Sequence, residues 1–136
     1  MRHTHRIGLN VFVATCLFAG FLAFGGCAPT ILASGPAMTQ PSFQTDALTM
    51  PDGARLPLHS WLPEENPRFV ILALHGFNDY GNFIKDAADF WRGYGIATYA
   101  YDQRGFGDAP NRGIWPGGQT FVDDLVLAAD LIRRRH

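Results

Sequence analysis

From about residue 43 onward, the apolar positions of the chain fall into alternating and helical runs that predict the order strand, strand, strand, helix, strand, helix. The stretch "FQTDALTM" alternates loosely. It is followed by "PDGARLPLHSWLPE", where Pro51, Asp52 and Gly53 mark a turn and Arg55, Leu56, Leu58 and Trp61 can face alternate sides; a hairpin fits both pieces. Pro57 predicts an edge or irregular strand, because proline cannot donate to a ladder. Residues 69–74 are continuously apolar and rich in branched side chains, as expected of a strand covered on both faces of a parallel sheet. Over residues 82–94, Phe83, Ala87, Phe90, Trp91 and Tyr94 share one helical face, with Lys85, Asp86 and Asp89 off it and Gly95 placed to end the helix. A second buried strand, "IATYAYD", leads through a glycine-rich loop over 103–118 into "TFVDDLVLAADLIRRR". There Thr120 with Asp123 predicts a capping box, acids crowd the start, arginines the end, and Val122, Leu125, Ala129 and Ile132 line one side.

Strands alternating with helices imply parallel pairing through crossovers, hence an open α/β sheet whose ligands bind beyond the carboxyl ends of its strands. Two unusual loops leave from those ends, one beginning "HGFNDYG" and the other "DQRGFGDAP". A lone His-Gly after a strand reads equally as a turn, in which Gly76 supplies a permissive backbone and His75 satisfies a hydrogen bond. The second loop changes that balance. Asp102, Arg104, Gly105 and Gly107 sit at a spacing that suits a tight, charge-braced turn, and two such turns on consecutive strands share one functional rim.

Composition adds exclusions. The chain has 136 residues, 47% of them hydrophobic and 17% charged, with a formal charge of -1. This is the make-up of a globular domain without the basic excess of a nucleic-acid binder. The two cysteines, Cys16 and Cys27, both precede the predicted domain, so no disulfide framework or paired-cysteine metal site is expected in it, and no cofactor is called for.

The amino terminus explains those cysteines. Arg2, His3, His5 and Arg6 form a basic start, and an apolar stretch over 7–24 follows, interrupted by Gly8, Asn10, Thr15 and Gly20. "LAFGGC" resembles a bacterial lipoprotein lipobox, although Phe24 stands where such boxes usually carry Leu. The resemblance implies a signal peptide over 1–26, lipid attachment at Cys27, and an extracytoplasmic, membrane-anchored location in a bacterial cell envelope. An uncleaved signal anchor and a plain secretory signal are the competing readings. "APTILASGPAMTQPS" has no period of either kind and predicts a tether over 27–42, with the folded domain over 43–136.

Taken together, "ILALHGFNDYGNF" and "IATYAYDQRGFGDAPNRGIWPG" resemble the amino-terminal part of an α/β-hydrolase, specifically the bacterial lysophospholipase and monoacylglycerol lipase group. The resemblance implies a mostly parallel sheet and a lipid-like carboxylic ester substrate. It also implies that the backbone N–H of Phe77 is one donor of an oxyanion hole. His75 then orders its loop rather than acting as base, and Asp102, Arg104, Gly105 and Gly107 shape the second turn. The family often has serine where Ala109 stands. Phe77, Tyr80, Phe83, Phe106 and Trp115 make an aromatic rim that suits an acyl chain, or equally plain packing.

In that family a nucleophile elbow, G-x-S-x-G, follows the second helix, and an acid and a histidine come after it. Ser34, Ser42 and Ser60 are the serines here, and none lies in that context. A complete α/β domain commonly takes roughly 200 to 250 residues. The expectation is therefore an amino-terminal portion of a longer serine hydrolase, truncated before the elbow and lacking nucleophile, acid and base. In it the strand over 69–74 becomes an exposed apolar edge prone to aggregation. A catalytically inert lipoprotein fragment is one alternative. An epoxide hydrolase or dehalogenase is another, although those families tend to carry proline at the position of Asn78.

Overall fold

The computed structural model describes residues 29–136. The signal-peptide reading and both cysteines, including the lipid-attachment reading of Cys27, lie outside the described residues. Five strands form one sheet: β1 (Ser42–Phe43), β2 (Ala47–Thr49), β3 (Arg55–Trp61), β4 (Phe69–Ala73) and β5 (Ile96–Tyr101), in the order β1-β2-β3-β5-β4. Two α-helices, α1 (Lys85–Arg92) and α2 (Gly118–Arg133), follow β4 and β5 respectively.

The "FQTDALTM" stretch contributes to two short antiparallel strands rather than one. β2 then pairs with β3 across the expected turn, Thr49 opposite Arg55. Pro57 is not at an edge. It stands in interior strand β3, where its carbonyl accepts the Asp102 N–H at 2.9 Å. Having no N–H, it returns no bond, and the β3–β5 ladder stops there, one residue past Tyr101. That end releases Asp102 from the sheet and into the loop.

The parallel part of the sheet begins at β4, which pairs with β5 from Phe69 opposite Ile96 to Ala73 opposite Ala100, the connection running through α1. β5 is buried from Ala97 onward. β4 is an edge strand, so instead of being covered on both faces it leaves Phe69 63% and Val70 39% exposed. Its outer main chain has no partner strand among the described residues.

One face of the sheet carries the core, in which Leu48, Met50, Leu56, Leu58, Tyr99 and Tyr101 meet Ala128, Leu131 and Ile132 of α2. Each fully buried aliphatic side chain of this kind contributes about 1.5 to 3 kcal/mol. Alternation along β5 turns Thr98 and Ala100 to the other face, where α1 packs against β3 and β5 and buries Ala88.

Both helices differ from the sequence expectation in which face they bury. The first begins as a 3₁₀ turn over Gly81–Ile84 and is seated by Gly81 and Ala88, whereas Phe83, Phe90 and Tyr94 point outward. In α2 the buried stripe is Thr120, Asp124, Ala128, Leu131 and Ile132; Val122 and Val126 are exposed. No capping box forms, because the helix starts at Gly118 and the Thr120 hydroxyl accepts instead from the Ser34 N–H at 3.4 Å. Apolar periodicity missed this register because an acid, Asp124, occupies the centre of the buried stripe.

The segment before β1 is laid against the domain rather than trailing from it. Ile31 bridges Trp115, Leu32 N donates to the Trp115 carbonyl at 3.0 Å, and Met38 and Thr39 N–H groups both reach the Pro51 carbonyl. Lack of period says that a segment is irregular, and says nothing of whether it docks.

Candidate active site

β4 ends directly before the first loop and β5 directly before the second, so parallel neighbours deliver both to the same end of the sheet. His75 and Gln103 lock them together. Gln103 N donates to His75 Nε2 at 3.0 Å, which leaves the proton on Nδ1, and Nδ1 donates to the Gly76 carbonyl at 2.8 Å. The Gln103 side-chain amide returns a bond to the His75 carbonyl at 2.8 Å. Both ring nitrogens of the buried imidazole are thus committed to shaping the loop. Gln103 was not singled out by the sequence, since a glutamine after Asp is a common loop residue.

Past His75 and Gly76 the chain turns through Asn78, whose φ of 63° is tolerated by Asn and closed to proline. Between them, the Phe77 N–H donates to no group among the described residues.

Asp102 ties the second loop to the first. Its Oδ1 accepts from Gly81 N at 2.7 Å and sits 3.1 Å from His59 Nε2, while Oδ2 accepts from Asp108 N at 2.8 Å. The carboxylate fills the space beside Gly107, at φ 53°, so that a Cβ there would collide with it. At Gly105, with φ 81°, a Cβ would meet the Ile114 carbonyl. Ala109 is buried and its N–H caps the turn on the Phe106 carbonyl at 3.0 Å, so the loop closes without the serine hydroxyl.

Arg104 braces the turn from behind. Its guanidinium is bidentate to Asp52 (2.6 and 2.9 Å) and to Asp124 (2.6 and 3.1 Å), Arg104 and Asp124 being buried and Asp52 partly so. One cation therefore joins the β2–β3 turn, the second loop and α2. Asp52 was legible only as a turn former and Asp124 only as a helix acid.

The two carboxylates respond differently. Arg104 holds Asp52 down to about 2, helped by the N–H groups of Ala54 and Gly35. Burial pushes Asp124 up by more than Arg104 draws it down. Asp52, with the lowered value, stabilises the fold fully above the usual Asp range and loses that contribution as pH falls from 3.8 towards 2. Asp124 acts with the opposite sign. We therefore expect the native chain to lose about 2 kcal/mol more than Asp52→Asn between roughly pH 4 and pH 2, measured as the difference between their urea-unfolding curves; parallel curves would contradict the assignment.

The two loops enclose one cleft of about 390 Å³, with Phe77, Asn78, Asp79 and Tyr80 on one wall and Gly105, Phe106, Gly107, Arg112, Gly113, Ile114 and Trp115 on the other. Phe77 and Phe106 stack edge to face at 5.3 Å. Of the aromatic rim expected from sequence, Phe83 does not line the cleft; it lies on the outer side of the 3₁₀ turn. Among the described residues no group of acidic, histidine or cysteine side chains is placed to hold a metal, and no helix is long and apolar enough to cross a membrane.

Residues 65–136 match the family described as Hydrolase_4: Serine aminopeptidase, S33. The fold is similar to that of a thermostable carboxyl esterase from Bacillus coagulans in complex with glycerol, with a TM-score of 0.54 and 15% identity over 75% of this chain and 33% of that one. A soluble variant of monoglyceride lipase from Saccharomyces cerevisiae in complex with a substrate analogue matches with a TM-score of 0.46 and 20% identity over 71% of this chain and 30% of that one. No curated protein matches. The chain spans about a third of the length of these solved structures.

Proposed function

Because the chain belongs to the serine aminopeptidase S33 family and folds as an incomplete α/β-hydrolase, we propose that it forms the oxyanion side of the active site of a carboxylic ester hydrolase acting on mono- or lysoglyceride lipids. The observation that carries this reading is that the N–H of Phe77, a residue lining the cleft between two mutually locked loops, donates to no group among the described residues. When a serine hydroxyl attacks the acyl carbonyl, negative charge gathers on the carbonyl oxygen. A donor already fixed there stabilises that charge without reorganising. His75 and Gln103 fix the backbone on one side and Asn78 on the other. The residue following the nucleophile would give the second donor, and neither it nor the nucleophile is among the described residues.

The cleft walls favour an acyl chain, since Phe77, Phe106, Ile114 and Trp115 supply apolar surface and Asp79 is the one carboxylate among the lining residues. An aminopeptidase would need an acid for the substrate's free amine, and Asp79, whose Oδ1 accepts the Tyr80 N–H at 2.9 Å, is the one acid among the cleft's lining residues that could serve. The φ of Asn78 speaks against the epoxide hydrolase and dehalogenase alternative, whose usual proline this turn could not accept. The lipobox-like "LAFGGC" supports lipid attachment at Cys27 and an extracytoplasmic place at the membrane surface.

The test is substrate preference in the polypeptide that carries these residues together with a G-x-S-x-G segment. We expect p-nitrophenyl acyl esters and monoacylglycerols to be hydrolysed far faster than aminoacyl p-nitroanilides. The reverse order would give the site to a peptidase.

A further inference from the structure

We propose that His59, a residue of β3, is a positioning residue of the site: through Asp102 and Gly81 it fixes the second end of the loop that carries the Phe77 N–H. The inference rests on the ester hydrolase reading and deepens it, by naming what keeps the proposed oxyanion donor in place.

The loop is held at its first end by the lock between His75 and Gln103. Its second end is Gly81, whose N–H donates to Asp102 Oδ1 at 2.7 Å. Between those ends no main-chain hydrogen bond joins residues 77–79 to the second loop among the described residues. The edge-to-face contact of Phe77 with Phe106 holds a ring and not an amide. The course of the main chain at Phe77 therefore depends on where the two ends are placed.

His59 places the second end in two ways. Its Nε2 lies 3.1 Å from the same Oδ1, and because a carboxylate only accepts, the imidazole donates. Asp102 is 1% exposed, and its other oxygen takes the Asp108 N–H at 2.8 Å. The last torsion of an aspartate has broad minima, so two loop donors leave the carboxylate room to turn, whereas a third from a strand sets its plane. The imidazole also fills the space that a Gly81 Cβ would take, so Gly81 is seated on the ring as well as on the carboxylate. His59 is itself held in the ladder opposite Ala100, with Trp61 and Tyr80 at 6.2 and 6.3 Å between ring centres. A catalytic donor has to be kept within about 0.5 Å of its productive position, and a strand residue is a firmer reference for that than the loop.

The test uses the full chain, made by cell-free synthesis in detergent micelles with carbon-13 in the glycine carbonyls and nitrogen-15 in the phenylalanine amides. Carbonyl-selected spectra then show the three Gly-Phe pairs, at Phe21, Phe77 and Phe106, so each loop carries one reporter. Phe77→Leu and Phe106→Leu assign the peaks. His59→Gln keeps an N–H donor near the place of Nε2, and His59→Met keeps bulk without one. In His59→Met the Phe77 peak is expected to move by more than its line width, or to split, with Phe106 close to its native position. In His59→Gln both should stay near native. An unmoved Phe77 peak in His59→Met, or equal displacement in the two variants, would overturn the proposal. So would loss of the native Phe106 position in His59→Met, which would make His59 a general support of the fold, or both peaks at unfolded-chain positions in the unsubstituted chain. The peaks report without nucleophile or substrate. Failure of the ester hydrolase reading would therefore show separately, as absent hydrolysis with this pattern intact.

Discussion

Arg104→Met should cost about 3 to 5 kcal/mol of folding stability, the largest single-residue effect expected in the molecule. The substitution retains much of the side-chain volume but strands two carboxylates. Asp124 is buried and Asp52 partly buried, and each receives two of its hydrogen bonds from this one guanidinium. Without it, Asp124, whose carboxyl is already pushed up by burial, rises further, and Asp52 loses the main cause of its lowered value. Domains of this size are stable by only about 5 to 15 kcal/mol, so the variant should unfold at markedly lower urea. Replacing all three at once, with Asp52→Asn and Asp124→Asn added, should recover a good part of the loss, because the penalty belongs to the unpaired charges and not to the absent attraction. If Arg104→Met alone unfolds at the native urea midpoint, the clamp does not hold the second loop.

The largest effect on activity is expected from Phe77→Pro. It removes one N–H and keeps an apolar ring at the cleft wall. In the polypeptide that carries the nucleophile, kcat should fall about 100- to 1,000-fold with KM little changed, since the missing bond is strongest in the transition state. Phe77→Leu keeps the N–H and separates the two roles of the residue. It should alter KM for long acyl chains and leave kcat for short esters close to native. Equal kcat in the Pro and Leu variants would remove the amide from the mechanism.

The parts legible in the sequence were those that depend on local chain chemistry. The hairpin at Pro51–Gly53, the crossover from β4 to β5 and the loops at their carboxyl ends follow from turn residues and apolar runs, and the structure places Phe77 and Gly105 on one cleft as those runs imply. Which face each helix buries was not legible. In α2 the choice is made by Asp124 reaching Arg104, a contact spanning 20 residues that outweighs the apolar stripe of Val122, Leu125 and Ala129. In the first helix the choice is made by Gly81, whose backbone must close on Asp102, with His59 filling the space a Cβ would take. The docking of residues 31–39 was likewise invisible, because its hydrogen bonds are mostly main chain to main chain and leave no trace in side-chain pattern.

That strap also has a bearing on the order of events during synthesis. A ribosome delivers Ile31 and Ser34 early, yet Trp115 and Thr120, which they join, emerge some 80 residues later, Ser34 and Thr120 being 86 positions apart. Chains fold broadly in the order they are made, so the sheet can begin to assemble while the strap still waits for its partners. Throughout that interval residues 31–34 lack the partners that hold them in the folded domain. Closure of the strap must then wait for the start of α2, and follows the pairing of β3, β4 and β5 rather than preceding it.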